Sequence, residues 1–258
     1  MSYTAYTFLF VLGLIAGMLV VLELGRRLGA RQLKTAAEGA VGIGAIESAV
    51  FALLGLLIAF TFSGAASRFD TRRQLIVEET NDIGTAYLRL DLLPADAQPA
   101  LKENFRRYLD SRLEIYRKLP DVMAAKDELA KSTKLQGEIW HQAVVASRAE
   151  GASPAAPVLL LPALNAMIDI TTTRTMAAQM HPPAIIFVML FGLALTSAFL
   201  AGYAMASAKS LSWPHMVGFA FVIGFVIYVI LDLEYPRLGL IRVDAFDQAL
   251  IELRESMR

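Results

Sequence analysis

The sequence predicts an all-α membrane protein with four transmembrane helices and a helical cytoplasmic domain inserted between spans 2 and 3. Three observations lead there. Apolar residues make up 56% of the 258, yet charged residues still reach 19%, so the two kinds are segregated along the chain rather than mixed. Four stretches are each long enough to cross a hydrocarbon layer about 30 Å thick. The long polar stretch between the second and third keeps helical periodicity, and no segment sustains the alternation of a strand.

The first span covers about 5–24 and carries no charge before Glu23, with Tyr3 and Tyr6 at one end as interfacial aromatics. Met1-Ser2-Tyr3 has no positive n-region, and no small-residue cleavage pattern follows. This run is therefore expected to persist as a span rather than be removed as a signal peptide. The second span covers about 43–66, interrupted only by Glu47. The third covers about 184–206 after His181-Pro182-Pro183, and the fourth about 214–233, with Trp213 before it and Tyr235 beyond it. Proline suits a first helical turn, where its missing N–H would be unpaired anyway.

Residues 67–181 form the inserted domain, between spans at 1–66 and 182–234, and 235–258 form a C-terminal tail. Ile76, Ile83, Tyr87 and Leu90 share one helical face. Ser67 alone separates this helix from the second span, so the two are expected to be continuous. After Pro94 and Pro99, a second stripe contains Leu101, Phe105, Tyr108, Leu109, Leu113 and Tyr116. A third helix is expected over about 122–148 and a fourth over about 157–180, with a loop at 150–154.

Basic residues set the orientation. Cytoplasmic termini put Arg68, Arg72, Arg73, Arg89, Arg174, Arg237, Arg242 and Arg254 inside, against Arg26, Arg27, Arg31, Lys34 and Lys209 outside. The balance favours cytoplasmic termini in a multi-pass membrane protein. Lys+Arg and Asp+Glu are equal at 24 each, which gives no reason to expect a nucleic-acid partner. Cysteine is absent, excluding disulfides, thiolate chemistry and cysteine-ligated metals.

Catalysis finds no support. Glycine-rich phosphate loops, G-x-S-x-G and H-E-x-x-H are all missing, and His141, His181 and His215 are scattered. No catalytic residue, metal or cofactor is expected. Glu78 and Glu79 read as a solvated face or as salt-bridge partners. Two features of the second span carry more. Glu47 is either an ion-pathway carboxylate or an interfacial acid paired with Arg31 or Lys34. Ala52, Leu56 and Phe60 recur every four residues, on nearly one line of the helix. Ordinary packing explains that row, and so does an apolar constriction around a symmetry axis.

The stretch from Leu57 through Phe60, Ser63, Ala65 and Arg68-Phe69-Asp70 to Arg72-Arg73 resembles the end of the second span in bestrophins. Its continuation, Glu78-Glu79-Thr80-Asn81-Asp82-Ile83-Gly84-Thr85-Ala86-Tyr87-Leu88-Arg89, is similar to the more distant bacterial bestrophin-like domain family. Asp232, Glu234, Pro236 and Gly239 resemble the acidic-Pro-Gly junction after the last bestrophin span. The resemblance implies a homo-oligomer, a pentamer in that family, in a lipid bilayer and conducting inorganic ions. Its pore is lined by the second span and narrows at a neck. Counting back from Arg68, the neck falls on Ala52, Leu56 and Phe60, with Arg68, Arg72 and Arg73 anchoring the helix at the membrane face. The aromatic pair usual after the first arginine is Phe69-Asp70 here, and the dense acidic run that binds calcium in animal members is absent. An apolar neck carries no charge code, and family members differ in the sign of the ion they pass. Two other readings stand beside the channel. One is a membrane scaffold or sensor whose helical domain binds a partner, and the other a proton-coupled transporter using Glu47.

Overall fold

The computed structural model describes residues 2–35, 43–207 and 213–257. Among them there are eight α-helices, three short 3-10 turns and no strand. The α-helices are α1 (Tyr3–Thr35), α2 (Ile43–Leu88), α3 (Gln98–Arg117), α4 (Val122–Ala146), α5 (Ala156–Gln179), α6 (Ala184–Ala204), α7 (Trp213–Glu234) and α8 (Gln248–Ser256). Four helices are long and apolar enough to cross a membrane. Lys209, counted for orientation, lies outside the described residues, as does the side chain of Lys34.

The contacts divide the chain into two compact units, Met1–Ser67 with His181–Tyr235, and Arg68–Met180 with Pro236–Arg258. In the first, α1 packs along α6 and α7. α1 outlasts its apolar run because Glu23 bonds Arg26 and Arg27, 2.8 and 2.7 Å away. Such i+3 and i+4 pairs support a helix where it leaves an apolar environment. Glycine permits the approach of α1 to α6. A Cβ on Gly202 would overlap the Leu22 carbonyl, and one on Gly25 the Phe199 carbonyl. Met18, Leu22, Leu190, Ala194 and Ala198 fill this seam. Phe8, Val20, Val188, Phe221 and Val222 stay on the outside of the unit, as apolar solvent requires.

The second unit is a helical bundle. Ile76 and Ile83 of α2 and Leu90 in the 3-10 turn after it share a core with Phe105, Tyr108 and Leu109 of α3, Ile139 of α4 and Leu160, Leu164 and Met167 of α5. Proline helps to start α3 and α5, and Asp121 caps α4 by accepting from the Ala124 N–H at 3.0 Å. Pro162 sits inside α5 on its exposed side, where water can satisfy the carbonyl left without a donor. The residues beyond Pro236 pack into this bundle: Leu250 and Met257 are buried in its core, and Arg254 clamps Asp110 at 2.8 and 3.0 Å.

The continuity expected of the second span holds, since α2 is one 46-residue helix. The helix expected over 122–148 ends at Ala146, where Ser147 and Arg148 bond back as turns. The third span gives way to a 3-10 turn at Met205–Ser207.

Candidate functional site

α2 has two faces, and every 3.6 residues the helix returns to the same one. Leu54, Thr61 and Ala65 are buried, and Phe51 meets Phe219 of α7 edge-on, ring centroids 6.2 Å apart. Ala52, Leu56 and Phe60 lie on the other side and are exposed, Leu56 at 52% and Phe60 at 68%. Among the described residues this row of apolar side chains is thus left exposed. Glu47 stands nine residues before Leu56, about two and a half turns, and so belongs to the covered side. Its Oε1 is shielded from solvent and has no hydrogen-bond partner among the described residues.

The three arginines after the span do different things. Arg72 is buried, its Nε donating to the Ala177 carbonyl at 3.1 Å and its Nη2 to Met180 at 2.8 Å. It therefore satisfies the carbonyls that α5 leaves open at its C-terminal end. Arg73 pairs with Asp70 at 2.9 Å and stacks on Phe246, 4.4 Å from the ring centre. Arg68 is half-buried.

At the end of α7, Asp232 and Glu234 are buried. Tyr228 donates to Asp232 at 3.4 Å, and His181 Nδ1 lies 3.3 Å from Glu234 Oε2. The His181 ring stacks on Tyr235 with centroids 4.5 Å apart. Pro236 and Gly239 are buried in the second unit, and the Pro236 carbonyl accepts from Val243 N–H at 3.1 Å. No group of three or more His, Asp or Glu side chains is arranged to hold a metal among the described residues.

A charged buried site surrounds Glu79, which the sequence reading gave as a solvated face or a salt-bridge partner without naming the arginines that meet it. Glu79, at 0% exposure, accepts from Arg112 at 2.5 Å and from Arg174. Tyr116 presents its ring to Arg174 and Arg237, 4.6 and 4.3 Å from the centroid. Arg237 in turn bonds Asp244 at 2.9 Å and Asp247 at 2.8 Å. Burial pulls the Arg237 pKa down, but bonding and attraction to Asp247, with Tyr116 and Asp244, leave it raised. Glu79 is thus a salt-bridge partner and does not lie on a solvated face. The signal was present: it stands three residues after Ile76 and four before Ile83, inside the apolar stripe.

The profile of the Bestrophin-like domain matches residues 12–245. The chain belongs to that family. Bestrophin-like chains with solved structures share its fold. A bacterial bestrophin homologue from Klebsiella pneumoniae carrying a tryptophan-to-alanine substitution aligns with TM-score 0.70 and 14% identity, over 95% of this chain and 98% of that one. The same homologue with a tyrosine-to-alanine substitution gives 0.67 and 14%, over 93% and 98%. A membrane protein with a proline-to-alanine substitution gives 0.61 and 14%, over 94% and 99%. Among curated protein sequences none matches.

Proposed function

We propose that this bestrophin-like membrane protein assembles as a ring, a pentamer by analogy with bestrophins, and conducts ions across a bacterial inner membrane. In this reading α2 lines the pore, Ala52, Leu56 and Phe60 form its neck, and the termini and the helical domain at 67–181 are cytoplasmic. One observation carries it. The uncovered face of α2 is apolar over two turns, and a ring of such faces makes a constriction that closes by expelling water. Glu47 is off that line, which disfavours it as a pathway carboxylate. Arg68 contacts headgroups at the inner face, while Arg72 is committed to backbone carbonyls.

The test is planar-bilayer recording of purified protein in asymmetric potassium chloride. Leu56→Ala and Phe60→Ala each widen the neck and raise conductance. Currents identical to wild type in both variants would remove these residues from the neck. A folded wild-type protein that never conducts would favour the scaffold reading instead.

A further inference from the structure

The helical bundle of the second unit has a cavity of its own, about 530 Å³ in volume, between α3, the N-terminal half of α4 and α8. Small-molecule sites usually measure roughly 300–1,000 Å³. The charged side chains that line it are balanced, four basic and four acidic, and most of them satisfy one another. Arg254 holds Asp110 at 2.8 and 3.0 Å, Lys131 holds Glu128 at 3.0 Å, and Arg117 lies 3.7 Å from Glu114. The Glu128 carboxylate also accepts from Ser111 at 2.8 Å and from Lys118 at 2.7 Å, so both its oxygens are engaged.

One charge of each sign is left over. Among the described residues Arg107 meets no carboxylate, and its hydrogen bond runs to the Asn104 amide oxygen at 3.3 Å. Glu255 meets no cation among them. Both side chains are exposed, and although they line the same cavity they do not pair with each other. A ligand that is only an anion would satisfy Arg107 and face Glu255 with a like charge. One that is only a cation would do the reverse. A zwitterion compensates both. The guanidinium fork of Arg107 matches a carboxylate through two parallel N–H bonds, and Glu255 can accept from an ammonium group. Leu113, buried, and Ile251, half-buried, add apolar surface to the same lining.

We propose that this cavity binds a free α-amino acid with an apolar side chain, its carboxylate on Arg107 and its ammonium group on Glu255. The phosphoethanolamine headgroup of a lipid carries the same two charges but has no side chain to cover Leu113 and Ile251. The site is built from the second unit alone and does not depend on α2 lining a pore.

The test is isothermal titration of the full-length protein in detergent with leucine, with isocaproate, which lacks the ammonium group, and with isoamylamine, which lacks the carboxylate. Leucine should bind saturably, and each single-charge analogue about tenfold more weakly. Arg107→Gln should weaken leucine about tenfold and leave the amine unchanged. Glu255→Gln should weaken leucine as much and leave the acid unchanged. A folding defect cannot imitate those opposite selectivities, and the analogue series on wild type stands whether or not either variant folds. Folded wild type without saturable leucine binding would overturn the inference. So would analogues that bind as tightly as leucine, or variants that keep the wild-type affinity for it. Tighter binding of glycerophosphoethanolamine than of leucine would overturn the amino-acid assignment in favour of a lipid headgroup.

Discussion

Replacing Glu79 by glutamine should destabilise the second unit far more than the same change at its neighbour. Glu79 is fully buried and bonded to two guanidiniums, of which Arg112 is 1% exposed. The amide keeps the shape but removes the charge that both arginines face. Removing one partner from a buried pair costs about 3–5 kcal/mol, because the remaining charge is left uncompensated. Tyr116 retains its attraction for Arg112 and Arg174, worth about 0.5–2 kcal/mol for each cation, which places the loss toward the lower end. For a chain of this size about 1 kcal/mol moves the melting temperature by roughly 2–4 °C, so the fall should be at least about 6 °C. The assay is thermal unfolding in detergent, with Glu78→Gln as the control. That exposed side chain should shift stability by no more than about 0.5 kcal/mol. Adding Arg174→Met to Glu79→Gln should recover part of the loss, since one stranded charge goes with it. Equal melting temperatures for Glu78→Gln and Glu79→Gln would refute the account of a buried ion cluster.

Three more outcomes follow from other contacts. Gly202→Ala forces a methyl group into the Leu22 carbonyl and should cost about 1–3 kcal/mol, read as a lower melting temperature. Gly13→Ala, with nothing within 4 Å of the added carbon, should not. Glu128 is held down to about 2 by its hydrogen bond from Lys118, with further bonds from Ser111 and Lys131 outweighing burial. Its folded pKa lies below its usual 4.5, so its stabilisation is complete above about pH 4.5 and vanishes as pH falls toward 2. Stability of Glu128→Gln measured across that window should slope less steeply than wild type. Arg72→Ala removes the donors on Ala177 and Met180 and should cost about 1.5–3 kcal/mol for each charge-assisted bond. The loss should be the same in detergent with and without anionic lipid; a loss appearing only with anionic lipid would show instead that Arg72 binds headgroups.

Much of the fold was legible because hydropathy and periodicity report on solvent directly. Four apolar runs marked four membrane-length helices, and Ile76 and Ile83 marked the packed face of α2. The place of the tail was not legible. Arg237 meets Asp244 and Asp247 only seven and ten residues on, yet its ring partner Tyr116 lies more than a hundred residues away. Charged residues at that separation leave no local pattern. The end of α1 lies at Thr35, well past the expected end of the first span near residue 24, since Glu23, Arg26 and Arg27 extend the helix by ion pairs that hydropathy does not count.

Glu78 and Glu79 show where a sequence reading needs phase as well as composition. As adjacent acids they look alike and invite one common explanation. One residue turns the side chain through about 100° on a helix, which here is the difference between an uncovered face and a sealed core. The apolar stripe through Ile76 and Ile83 fixes the phase, and Glu79 falls within it. An acid in such a stripe needs cations brought by other elements, and α3 and α5 supply Arg112 and Arg174. Glu78 stands about a third of a turn away with no such partner among the described residues. A single helix thus places one carboxylate inside the bundle and the next on an exposed face by angle alone.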